Sequence, residues 1–135
     1  MKAGYLVMVL LYSAAIWYFS GLPSGDIDLP DFWDKPTHFL EFALLGFLLV
    51  RGFGVGKGKA SFLLAWLLAV IYGTVDEYHQ SFVEGRIPSA LDVLADALGA
   101  AAGAAAGLLV EKGHAPGIFR KSAGSREEAS PRRRA

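Results

Sequence analysis

The chain contains no cysteine, which excludes disulfides, thiolate nucleophiles and cysteine-based zinc or iron–sulfur centres. Charge is scarce: 19% of the 135 residues are charged and 53% are hydrophobic, an apolar balance for a soluble domain. Several reaction signatures are absent too. There is no G-x-S-x-G nucleophile elbow, no H-E-x-x-H and no phosphate-binding P-loop. From Ala3 to Gly25, 23 residues pass without a charge, enough to cross a bilayer. A single Lys2 precedes this run and no A-x-A site follows it, so it reads as a retained helix rather than a cleaved signal.

What is present is four apolar segments in a chain of single-domain length. They predict helices over about 3–20, 36–53, 60–82 and 90–110. No segment has the wide polar face of a surface helix. The fold class is therefore all-α: a polytopic membrane protein built as a four-helix transmembrane bundle, occupying residues 1–112. Residues 113–135 are charged and poor in apolar side chains, the composition of a basic, disordered cytoplasmic tail. Lys2, Arg51, Lys57, Lys59 and the basic tail lie at one set of loops and ends. The loop after the first helix carries Asp26, Asp28 and Asp31 and no base before Lys35. The positive-inside rule then predicts N-in/C-in, with loops 21–35 and 82–90 outside. Trp17, Tyr18, Phe19, Phe32 and Trp33 suit an outer aromatic belt.

The third helix ends in "VDEYHQSFVEGR", a dense polar run that closes sixteen uncharged residues, Ala60 to Val75. In this topology the start of the second helix and the start of the fourth face the same side. Three sequence-distant polar groups therefore converge: Asp34 to Glu41, Asp76 to Gln80, and Asp92 with Asp96. Residues three and four apart share a helix face, so Asp34, His38 and Glu41 form one stripe. Asp76 and Glu77 point about 100° apart. Asp92 and Asp96 lie on the stripe of Gly99, Gly103 and Gly107, whose G-x-x-x-G spacing permits close helix approach, so both acids should face the bundle interior. Locally, Asp34 reads as an N-cap ahead of Pro36, Ser89 with Asp92 as a capping box, Lys35 as an outward-snorkelling base and His79 as incidental.

Six carboxylates (Asp34, Glu41, Asp76, Glu77, Asp92, Asp96) against Lys35 and Arg86 leave four negative charges in excess. Near hydrocarbon they cannot all stay ionised and uncompensated; some are protonated, some reach water, or a cation sits among them. Ionisable residues inside a span are functional by default. The candidate catalytic or substrate-binding residues are Asp34, Lys35, His38, Glu41, Asp76, Glu77, Gln80, Arg86, Asp92 and Asp96. His38 and Glu41 would form an acid–base pair, Asp76 and Glu77 a base or ligands, and Gln80 and Arg86 polar anchors. A divalent cation is a candidate cofactor, with His38, Glu41, Asp76, Glu77 and Asp96 as ligands. Enzyme, binding protein and non-catalytic scaffold all stay open, and the glycine stripe offers a route to a homo-oligomer.

Two stretches, "DKPTHFLEFALLGFLL" and "DEYHQSFVEGRIPSALDVLADALGA", resemble the VanZ-like family from Asp34 to Gly103. Its pattern runs D-K-x-x-H-F-x-x-F-x-x-L-G, then D-E-x-x-Q-x-F-x-x-G-R, then D-x-x-x-N-x-x-G. Position 96 departs from it, carrying Asp where the family usually has Asn. The resemblance implies a small multi-pass protein of the bacterial cytoplasmic membrane. It further implies a phenotype, low-level antibiotic resistance to the lipoglycopeptide teicoplanin, and no reaction. The polar outer face itself is expected to bind or process a lipid, a lipid-linked envelope precursor or a lipid-tailed drug, with no nucleic-acid partner.

Overall fold

The computed structural model describes residues 2–23, 34–53 and 58–112. Four helices form: α1 (Ala3–Ser20), α2 (Asp34–Phe53), α3 (Lys59–Gln80) and α4 (Ala90–Lys112). Each is long and apolar enough to cross a membrane, and no strand occurs among the described residues. Asp26, Asp28, Asp31, Phe32, Trp33, Lys57 and the tail from 113 onward lie outside them.

Four helix ends differ by one or two residues from the sequence expectation, and two of them have a clear local cause. α2 begins at Asp34, so Asp34 sits in the first turn and does not precede it. Pro36 is tolerated there because first-turn N–H groups need no intrahelical acceptor. α3 stops at Gln80, two residues early. The N–H groups of Ser81, Phe82 and Val83 fold back onto the carbonyls of Glu77, His79 and Gln80. Gly85, with φ of 77°, then completes a turn that an ordinary side chain resists.

α2 and α4 form the most extensive interface. The two helices run parallel: Gly99, Gly103 and Gly107 lie against Phe39, Ala43 and Val50 in register, and Gly46 faces the Ala100 backbone. Backbone thus meets backbone, with no Cβ to hold the helices apart. The closest approach is therefore used inside the chain, and it leaves a homo-oligomer to other faces. α3 contributes a stripe at four-residue spacing, Ser61, Ala65, Ala69, Gly73 and Glu77, all buried. Around these small residues close Phe42, Leu45, Leu49, Val50, Ala100 and Ala104. The Trp66 indole N–H donates to the Ala97 carbonyl at 3.0 Å and ties α3 to α4.

Outside, Leu63, Leu67, Ile71, Leu94 and Leu98 are exposed. In water such a surface drives association; on helices of this length it is the surface that meets lipid. α1 is the peripheral helix, burying only Ile16 and Ser20. Polar contacts fasten it: Tyr12 Oη donates to the Glu41 carbonyl at 3.2 Å, and Tyr72 Oη to the Ser13 carbonyl at 2.6 Å. Tyr72→Phe is expected to cost about 1 kcal/mol, the net worth of one such bond, and to raise cysteine-crosslinking distances between α1 and α3 while the α2–α4 pair stays intact.

Candidate functional site

The parallel run of α2 and α4 brings their N-terminal ends to one side of the bundle. α3 ends on that side, because Glu77 reaches the residue just ahead of α4. α1 ends there too, through a bond from Ser20 to Asp76. The polar residues of all four helices therefore collect at one end.

Two groups can be distinguished. The first joins α2 to α4. His38 Nδ1 lies 3.0 Å from Asp96 Oδ1, with both side chains buried. That contact fits Nδ1–H donating to the carboxylate, which turns Nε2 toward Asp34 Oδ1 at 3.9 Å. The Lys35 ammonium bridges two carboxylates, Asp34 at 2.8 Å and Asp92 at 2.7 Å. Asp34 and Asp92 occupy the first turns of their helices, where the helix dipole favours negative charge. Asp96 is 1% exposed and lies directly over Gly73: a Cβ there would stand 2.7 Å from Asp96 Oδ2. Gly73 is thus what admits the carboxylate between α3 and α4.

The second group joins α1 to α3. Asp76 accepts from Ser20 Oγ at 2.7 Å and from Gln80 Nε2 at 3.1 Å. The His79 ring stacks on Trp17, with centroids 3.9 Å apart and planes 18° from parallel. Arg86 Nε donates to the Leu22 carbonyl at 3.3 Å and holds the end of α1 from the α3–α4 turn. Glu77, 6% exposed, lies between the groups; its Oε1 accepts the Ser89 backbone N–H.

Several local expectations change. Lys35 does not snorkel outward; two acids at bonding distance hold it across the helix pair. Ser89 and Asp92 do not make a reciprocal capping box. Ser89 Oγ accepts from the Leu91 N–H, its own N–H goes to Glu77, and the Asp92 carboxylate goes to Lys35. His79 is not incidental, since it packs ring on ring across α1 and α3. The hydrogen-bonding partner of His38 is Asp96 rather than Glu41. Glu41 is half-buried one turn deeper, within electrostatic reach of His38, Asp76, Asp96 and Arg86. Ser20 was missed. Its signal was Tyr12, Ile16 and Ser20 at four-residue spacing, the face that α1 turns inward.

The metal-ligand set also differs. Among the described residues, the donors within 4.8 Å of one another are Asp34, His38 and Asp92. Asp76 is turned away to Ser20 and Gln80, and Asp96 grips His38 through its other nitrogen.

No curated protein and no solved structure matches the chain. The VanZ/LLP1 family matches over residues 5–111, through all four helices and well beyond the Asp34–Gly103 stretch. The histidine, lysine and carboxylates gathered at one end of this bundle all lie within the matched residues, and the chain, a multi-pass membrane protein, belongs to the VanZ/LLP1 family.

Proposed function

We propose that the protein binds or processes an amphiphile of the cell envelope at this polar end: a lipid, a lipid-linked precursor or a lipid-tailed glycopeptide of the teicoplanin type. The observation that carries the reading is the buried His38–Asp96 pair, roofed by the Lys35 bridge, in helices whose other faces are hydrocarbon. Burying such charges stabilises little by itself, and apolar replacements of equal volume often do as well. Their presence inside a span therefore speaks for use. An amphiphile suits a site with lipid beside it and polar groups at its rim. Acid–base work by His38, with Asp34, Glu77 or Glu41 as partner, and plain headgroup binding both fit the groups present.

Native mass spectrometry of the protein released from lipid nanodiscs tests the reading by identifying what co-purifies. Glu77→Gln supplies the matched variant, because its amide oxygen still accepts the Ser89 N–H and preserves the shape. The folded variant should retain at most about a tenth of the bound amphiphile, roughly 1.4 kcal/mol of lost affinity. Wild-type capture by a folded Glu77→Gln protein would remove Glu77 from the binding site, and no capture by wild type would support a scaffold instead.

We further propose that the polar end faces outward from the cytoplasmic membrane, on the strength of Arg51 and Lys59 at the opposite end. Reporter fusions after Lys57 and after Arg120 should both read cytoplasmic. An external signal at either position sinks this orientation.

A further inference from the structure

We propose that Asp34, His38 and Asp92 form a binding site for a divalent transition-metal ion, and that Lys35 is a tethered cation competing for the same place. The inference goes beyond the amphiphile reading and does not depend on it. Two helices supply the three donor atoms, all within 4.8 Å of one another. One imidazole and two carboxylates suit zinc or manganese, whereas magnesium and calcium favour all-oxygen sets.

His38 is already oriented as a ligand. Its Nδ1 is held by Asp96 and its Nε2 is presented toward Asp34. A carboxylate gripping the far nitrogen is the usual support of a metal-bound histidine.

An independent observation points the same way. Glu77 is 6% exposed and its Oε2 has no hydrogen-bond partner. It lies within electrostatic reach of Asp92, His38 and Asp96. An unpartnered buried carboxylate oxygen is costly. A cation beside Asp92 and His38 would give it a counter-charge.

Lys35 explains how the cluster stays folded without the ion. Its ammonium lies 2.8 Å from Asp34 and 2.7 Å from Asp92, neutralising two of the three donors. Its side chain is 43% exposed, and a lysine stem is long enough to carry the charge out to water. Metal entry then exchanges one cation for another.

The full-length protein in nanodiscs, stripped with chelator, is titrated with zinc and with manganese by calorimetry. Wild type should bind one ion per chain. Lys35→Met should bind at least about tenfold tighter, and His38→Gln or Asp92→Asn at least about tenfold weaker, the range set by losing a metal-site partner. Glu84→Gln, in the exposed α3–α4 turn, should match wild type. Tighter binding by Lys35→Met cannot arise from misfolding, so that variant is decisive where the others unfold. No binding by wild type and Lys35→Met overturns the site, and so does binding indifferent to His38 and Asp92. Lys35→Met that binds no tighter than wild type overturns the competition. Lipid capture is read on the same samples: capture without metal binding sinks this inference alone, and metal binding without capture sinks only the amphiphile reading.

Discussion

Gly103→Leu should yield no folded bundle, and Gly103→Ala alone should cost about 2–3 kcal/mol, the upper range of overpacking. A Cβ built on Gly103 runs into the carbonyl oxygen of Ala43, with the Ala43 carbonyl carbon and Cα close behind. The obstacle is backbone, so no rotamer change relieves it; α2 and α4 must separate. Separation is not local. Gly99 meets the Phe39 carbonyl in the same way one turn above, and Gly46 meets Ala100 from the opposite helix. It also draws Lys35 from Asp92 and His38 from Asp96. Gly4 is the control, since nothing lies within 4 Å of a Cβ placed there. Thermal melts and size-exclusion profiles in detergent read the result. A Gly103→Ala protein that melts with wild type would mean that α2 and α4 are not in backbone contact.

Asp96→Leu should cost about 3–5 kcal/mol, the usual loss when one partner of a buried charged pair is removed. It leaves His38 facing a dry interior with an unanswered donor. Asp96→Asn should be mild, because its side-chain oxygen still accepts from His38 Nδ1–H at the same reach. The informative variant is the double one, His38→Leu with Asp96→Leu. Removing both polar partners removes the need for either, so the double variant should be more stable than either single one. Its coupling free energy, read from equilibrium unfolding in mixed micelles, should therefore exceed the loss of the single Asp96→Leu variant, about 3–5 kcal/mol. Additive losses would show that the two side chains do not act as a pair. Lipid capture should fail in the double variant despite its recovered fold, which separates stability from use.

The spans were legible because a bilayer leaves little choice: long apolar runs must cross it, and their helices need no partner to satisfy the backbone. The inward facing of Asp92 and Asp96 was legible as well, because they share a face with glycines that only a neighbouring helix can fill. Which helix fills it was not. Spacing fixes the angle between residues on one helix but not the rotation of one helix against another. For that reason Lys35, at a helix start, read as a snorkelling base, although Asp92 of α4 meets it at 2.7 Å. The same gap hid the Ser89 N–H, whose acceptor belongs to α3 and lies twelve residues upstream. Ser20 stayed hidden because a lone serine in an apolar run weighs nothing until Asp76 is known to stand opposite it.

The parallel pairing of α2 with α4 also sets a timetable for synthesis. His38 leaves the ribosome 58 residues ahead of Asp96, about 3–12 seconds at ordinary elongation rates. Throughout that interval α2 carries a histidine and a lysine whose acceptors on α4 have not been made. Alone in lipid α2 would leave His38 without its partner, so the insertion machinery is expected to shelter α2 until α4 arrives. A nascent chain arrested before residue 90 should therefore stay bound at the translocation channel, and a chain released there should be degraded. α4 thus completes α2.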